Sequence, residues 1–216
     1  MKLGIIGGGA LGIQLAHLAE KCGYSVMGFF DDTKPIGEAV ECYSNLGSIS
    51  TIEEWFHKGD ITHLVCAIGY KHFDLREKIF IDFFEKKKIP FATLIDPSCI
   101  IDSTAQIGHG AVLYAGCVVD KNVIIEDNVL LNLAVCVSHN SVIGAHSYLS
   151  PRCAIAGNTI IQNKCFLGIN STIIDDVLLS SNTVIAAGAV VTTDCNVRGL
   201  YAGVPASYKK EKINFK

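Results

Sequence analysis

The sequence predicts two folds in one chain: a small α/β domain with a parallel sheet over residues 1–96, then a triangular parallel β-solenoid of about five coils over residues 97–216. Three observations predict it. Residues 1 to about 95 alternate strand and helix patterns, helical spacing disappears after Pro97, and from Ile101 an aliphatic residue recurs every sixth position without an insertion.

LGIIG (residues 3–7) reads as a buried strand, and ALGIQLAHLAEKCG carries apolar residues at helical spacing until Gly23. YSVMGFF is a second strand that ends at Asp31 and Asp32. A helical stretch near Ser50 to His57 precedes the strand THLVCAI, the helix HFDLREKIFIDFFEKKK and a last short strand, PFATLI. The charge run Glu85–Lys88 suits a solvated last helical turn.

Beyond Pro97, the sixfold column runs from Ile101 through Val137, Ile143 and Ile155 to Val191. Four residues after each member, from Ala105 to Ala189, only Ala, Cys, Ser, Thr or Val occurs, as a narrow interior requires. Three residues after each member, Asn or Gly dominates (Gly110, Gly116, Asn122, Asn128, Asn140, Asn158, Asn170, Asn182, Gly188), so a left-handed corner recurs every six residues. Three hexads per coil give five coils, a stack about 24 Å tall at the strand spacing of about 4.8 Å. The residue before each aliphatic points outward and is often apolar. Ile124, Val142, Ile160 and Leu178 line one face, and Leu130, Tyr148, Phe166 and Val184 the next, so both faces call for partner surfaces.

Half the residues are apolar, 18% are charged and the net charge is −3, which describes a globular chain without a nucleic-acid-binding stripe. The nine cysteines form no CxxC pair, Met1 leads straight into a strand with no signal peptide, and no apolar run could span a bilayer. These features imply reduced thiols, a cytoplasmic location and no membrane insertion.

The unbroken hexapeptide pattern over residues 101–191 resembles the left-handed parallel β-helix of the hexapeptide-repeat acyltransferases. The glycine-rich domain before it and the closing GLYAGVPA (199–206) resemble one branch of that family. That branch holds the sialic acid O-acetyltransferases and the N-acetyltransferases of nucleotide-linked 4-amino-4,6-dideoxy sugars. The resemblance implies acetyl-CoA as co-substrate, a homotrimer with CoA between neighbouring solenoids, direct transfer without an acyl-enzyme, and a role in surface-glycan synthesis such as lipopolysaccharide O-antigen.

Gly7-Gly8-Gly9-Ala10-Leu11-Gly12 contains G-x-G-x-x-G between a strand and a helix, with Asp31 and Asp32 about 20 residues on. This satisfies a dinucleotide fingerprint and marks the domain as Rossmann-like, but four strands are half of such a fold and provide one mononucleotide site. The resemblance implies a nucleotide sugar there, with Gly9 near the phosphates, Asp31 or Asp32 facing base or ribose, and Ala67, Ile68 and Gly69 bordering the base. A helix N-terminus attracts phosphate in any case. The same glycines can equally serve close packing, and paired aspartates can cap a loop.

His139 is the residue the repeat does not require. Steps of 18 place Lys121 below it and Gly157 and Asp175 above it, which leaves the Gly157 N–H unshielded to hold a thioester oxygen. Histidine, with an ordinary pKa near 6.5, suits removal of a proton from an amine or hydroxyl. The resemblance implies His139 as general base, the thioester contact at Gly157 and Asn132 near the sugar. The CoA phosphates want cations, for which Lys164 and the tail Lys209-Lys210 are candidates, the tail reading equally as solvated, and Ala187 is placed toward acetyl-CoA. It departs in two places. Asn140 stands where relatives carry a carboxylate, either fixing the ring's tautomer or serving only as a corner, and Tyr148 stands where some relatives contact the acetyl donor through histidine. A zinc site is the metal rival, but His109 and His146 fall two coils apart, about 10 Å, and His139 on another face, so no metal is expected within one chain. O-acetylation of a sialic-acid-like sugar, or nucleotide-sugar binding without catalysis, are the alternatives.

Overall fold

The computed structural model describes residues 1–211 of the chain, which divides into two compact units, Met1–Leu94 and Ile95–Lys216. The first unit is a five-stranded sheet. β1 (Lys2–Ile6) lies between β2 (Ser25–Phe30) and β5 (His63–Cys66), parallel to both, and β2 continues in parallel to β4 (Tyr43–Gly47). β3 (Ala39–Val40) adds an antiparallel edge to β4. Helices α1 (Ala10–Lys21), α2 (Ile52–His57) and α3 (Phe73–Phe80, continued by wider turns over Ile81–Lys86) complete it. Ile6, Phe30, Leu64, Phe80 and Phe91 share its core.

Three features depart from the sequence reading. The β3–β4 hairpin comes from a stretch with no alternating apolar pattern, and it pairs because Gly37 and Asn45 tie it back (Gly37 N–H to Asn45 carbonyl, 2.8 Å). Of the expected strand PFATLI, Phe91 makes a single bridge to β5 at Leu64, and Leu94–Ile95 form a separate two-residue strand. The run Glu85–Lys88 is not wholly solvated, since Lys87 pairs with Glu53 and Asp82, each at 3.3 Å.

In the second unit, two-residue strands pair in parallel with the strand 18 residues on, as Val118–Val119 with Cys136–Val137 and then Ala154–Ile155. Three sheets result. The aliphatic column fills the interior: Leu113, Leu131, Ile143, Leu149, Ile161 and Leu167 are all fully buried. Gly199–Ala202 pairs with Thr183–Ile185 where another coil would lie, and Ser207–Lys210 folds back antiparallel.

The left-handed corner is used at every sixth residue from Gly110 to Gly188, including Ala134, His146, Arg152, Lys164 and Asp176, which composition alone does not mark. A left-handed turn costs a β-carbon-bearing residue about 1–2 kcal/mol. It is held because each corner N–H from Asn128 to Gly188 donates to a carbonyl 19 residues earlier, as Ala134 to Ala115 (3.0 Å), Arg152 to Leu133 (2.9 Å) and Lys164 to Ala145 (2.9 Å), while Gly116 and Asn122 donate to the hydroxyls of Ser98 and Thr104.

The column of small residues does more than fit. Its hydroxyls and thiols donate to turn carbonyls 15 residues on: Cys117 to Asn132 (3.1 Å), Ser141 to Ala156 (2.9 Å), Ser147 to Gln162 (3.2 Å), Cys153 to Gly168 (3.3 Å) and Cys165 to Ser180 (3.3 Å). Burial pushes the Cys165 thiol up to about 12 and raises Cys153. These sulfurs therefore stay protonated and able to donate.

Of the two outward apolar faces, one needs no partner. Leu130 is fully buried and Tyr148 only 9% exposed in the isolated chain, whereas Ile124 and Ile160 remain 37% and 47% exposed. The expectation of two open faces is corrected to one.

Ser141→Ala tests the carbonyl ladder. It leaves the Ala156 carbonyl and the Thr159 N–H (3.1 Å from Oγ) without their buried partner. A loss of about 1–3 kcal/mol in urea unfolding is expected, and an unchanged midpoint contradicts the ladder's contribution.

Candidate active site

The Val137 strand turns at Asn140 (φ 58°), and this aims the preceding residue, His139, out of the interior. One coil on, Gly157 passes directly against the ring. A β-carbon at Gly157 would lie 2.5 Å from His139 Cε1 and 2.7 Å from Nε2. Gly157 is therefore required by the imidazole. Its N–H is not free, however, since it donates to Asp175 Oδ1 at 2.9 Å. The expected open N–H for a thioester oxygen is corrected, because the residue one further coil up already takes it.

Asn140 Nδ2 lies 3.1 Å from His139 Nδ1 and donates to Asn158 Oδ1 at 3.2 Å, while its Oδ1 accepts from Asn122 Nδ2 at 3.1 Å. Asn132 Nδ2 donates to the Tyr148 hydroxyl (3.1 Å), and the Tyr148 ring stacks on Phe166 at 5.9 Å. Two residues expected on different ligands are thus bonded to each other. Lys164 occupies a corner and Ala187 is exposed.

In the first unit the glycines divide into distinct roles. A β-carbon at Gly12 would run into the Gly7 carbonyl, and Gly7 itself (φ 102°) turns the chain beside Ala67 and Ile68. These two serve packing. Gly9 and Gly69 have open space where a side chain would be. α1 begins at Gly9 with no side-chain cap and no acidic residue in its first turn, an arrangement receptive to an anion.

Asp31 accepts from the Gly8 N–H (2.8 Å) and, through its other oxygen, from the Thr33 N–H (2.8 Å) and hydroxyl (2.6 Å). Burial acts to raise this carboxyl. The Thr33 hydroxyl, the Gly8 and Thr33 amides and the Lys34 charge together hold it below the ordinary value. Asp32 instead accepts from the Ser48 hydroxyl (2.7 Å) and the Ile49 N–H (2.9 Å). Only Asp31 of the pair stands at the glycine loop.

Solved structures share this build across the whole chain. PerB of Caulobacter crescentus, in complex with CoA and GDP-perosamine, is 26% identical with a TM-score of 0.90, covering 97% of this chain and 98% of its own. The acetyltransferase domain of PglB from Neisseria gonorrhoeae, in complex with acetyl coenzyme A, is 26% identical with a TM-score of 0.84 over 96% and 98%. WeeI of Acinetobacter baumannii shares the fold at 22% identity and a TM-score of 0.80, over 96% and 99%. The PglD N-terminal domain family matches residues 2–83. By domain content and fold, the chain is similar to these sugar acetyltransferases.

Two further residues of the first unit escape a motif search. Lys34 lays its aliphatic stem over Gly8, where a β-carbon would be 3.3 Å from Cδ, and pairs with Glu38 at 3.0 Å. Arg76, 1% exposed, donates from Nη1 to the Ile68 carbonyl at 3.0 Å and so holds the end of β5. Its only sequence signal is a place on the apolar face of α3, with Ile79, Phe80 and Phe83. Among the described residues no group of three or more His, Cys, Asp and Glu side chains is placed to hold a metal ion, and no helix is long and apolar enough to cross a membrane.

A carboxyl depressed in the folded state contributes stability that is present above its unfolded pKa, about 3.9, and lost as pH falls through the lower folded value. Asp31→Asn is therefore expected to unfold more readily than wild type at pH 7, with the difference shrinking below about pH 4. Thermal unfolding from pH 7 to pH 2 measures it, and a constant difference argues against the network.

Proposed function

We propose that the chain transfers the acetyl group of acetyl-CoA to the amino group of a nucleotide-linked amino-dideoxy sugar, with His139 as general base. The observation that carries the reading is whole-chain likeness to PerB in complex with CoA and GDP-perosamine, an enzyme described as a perosamine N-acetyltransferase and also solved with alanine or asparagine in place of a histidine. The open Gly9 backbone and the uncapped start of α1 supply a phosphate site. Asp31 and the Ala67–Gly69 turn border it, while Asp32 is assigned to the loop it caps. Lys34 adds a nearby cation.

The chemistry needs few groups. The sugar amine attacks the thioester carbon, forming the C–N bond. His139 takes the amine proton through Nε2, in the tautomer that carries the ring's own proton on Nδ1, the nitrogen that faces Asn140. As the C–S bond breaks, the electron pair leaves with sulfur, and the imidazolium returns the proton to the CoA thiolate. No cysteine is acylated. Asn132 contacts the sugar, and Tyr148 is assigned to holding Asn132 instead of the acetyl donor, since its hydroxyl is already bonded there. Gly157 makes room for the imidazole, while Lys164 and Ala187 line the CoA path. The exposed Ile124–Ile160 face supports a homotrimer with CoA between neighbours. Two soluble substrates fit a cytoplasmic step of surface-glycan synthesis.

The test is acetyl-CoA consumption with a panel of UDP-, dTDP- and GDP-linked amino sugars plus sialic acid. Turnover with at least one amino sugar is expected, with His139→Ala lowered by about 10²–10⁴-fold, the usual contribution of general-base catalysis. Gly157→Ala is expected to fall similarly, because the new methyl displaces the ring. Absence of turnover with every acceptor refutes the function, and full turnover in His139→Ala refutes the base.

A further inference from the structure

We infer that the amide ladder Asn122–Asn140–Asn158 sets the tautomer of His139, and that Asn122 and Asn158, one coil below and one coil above the corner, are positioning residues for the reaction. The inference rests on His139 being the base. An asparagine amide has one accepting and one donating end. At Asn140 the end facing Asn158 is also the end facing His139 Nδ1, at 3.2 and 3.1 Å, while the opposite end faces Asn122 at 3.1 Å. The direction of the ladder and the protonation of the ring are therefore one choice.

In the direction found, Asn140 donates both of its N–H groups, one to Asn158 Oδ1 and one to His139 Nδ1. A neutral imidazole that accepts at Nδ1 carries its proton at Nε2. The outward nitrogen is then a donor, and no lone pair is available to take a proton from the amine. With all three amides reversed, Asn140 Oδ1 accepts from an Nδ1–H and the Nε2 lone pair is exposed. The resting ladder holds the donor form, and transfer proceeds from the reversed one. A carboxylate at position 140 accepts only, so it fixes the base form outright. Asparagine keeps both forms within reach of one network.

The corner conformation limits which variants are informative. Asp176 and Ala134 already occupy left-handed corners (φ 61° and 55°), so Asn140→Asp and Asn158→Ala are compatible with the fold. The readout is the ¹⁵N spectrum of His139 in ligand-free protein, assigned by loss of its signals in His139→Ala. The Nε2–H pattern is expected in wild type, the Nδ1–H pattern in Asn140→Asp, and a mixture in Asn158→Ala. In Asn140→Asp the acid limb of the rate profile is also expected to move to higher pH, because the added carboxylate favours the imidazolium. An Nδ1–H pattern in wild type, or an Nε2–H pattern that persists in both variants, overturns the inference. The tautomer is read without turnover, so this result stands apart from whether His139→Ala loses activity.

Discussion

Each coil of the second unit turns three times in 18 residues, and each turn needs one residue near φ 60°. That constraint governs the rest of the solenoid. It brings residues 18 apart into register, so one sequence position becomes a column about 4.8 Å in repeat. The corner N–H groups are satisfied from the coil below, and the turn carbonyls by hydroxyls and thiols of the small column. Short two-residue strands have little pairing of their own. The vertical bonds between turns supply what the strands lack.

The site is a consequence of the same stacking. A histidine side chain at a turn has neighbours only from its own coil and the two adjacent ones. Above it, any β-carbon would strike the ring, so the column must carry glycine there. Beside it, the corner column supplies asparagines because they tolerate the left-handed conformation, and their amides reach one another at the coil spacing. The corner and the contact with His139 Nδ1 thus fall on the same residue, Asn140.

Much of this was legible in the residues alone. The aliphatic, small and corner columns name their own spacing, and His139 stands out as a residue with no duty in any of them. What was hidden depends on side-chain direction. Nothing in the spacing says that Asp175 reaches down to the Gly157 N–H, or that Asn132 meets Tyr148. The β3–β4 hairpin lacks apolar alternation because it sits at a sheet edge, and Arg76 hides as one charge among the apolar positions of a helix. Tyr148 and Leu130 looked like an open face because outward direction in a coil does not determine exposure in the whole chain.

The glycine loop carries an internal conflict that its geometry resolves. A carboxylate beside an uncapped helix start opposes anion binding there, and Asp31 is held ionised by the amides and hydroxyl it accepts from. Two features offset it. Asp31 uses the Gly8 N–H alone of the loop, leaving Gly9 and the first turn of α1 uncapped, and Lys34 lies over Gly8 with its charge shared by Glu38. A doubly anionic diphosphate is better placed than a carboxylate such as Glu38 to claim Lys34 and the helix start together, since it offers several acceptors across that short span. Asp31 then shapes the loop without filling it, since its oxygens act on their own backbone through the Gly8 and Thr33 amides and leave the start of α1 without a side-chain cap.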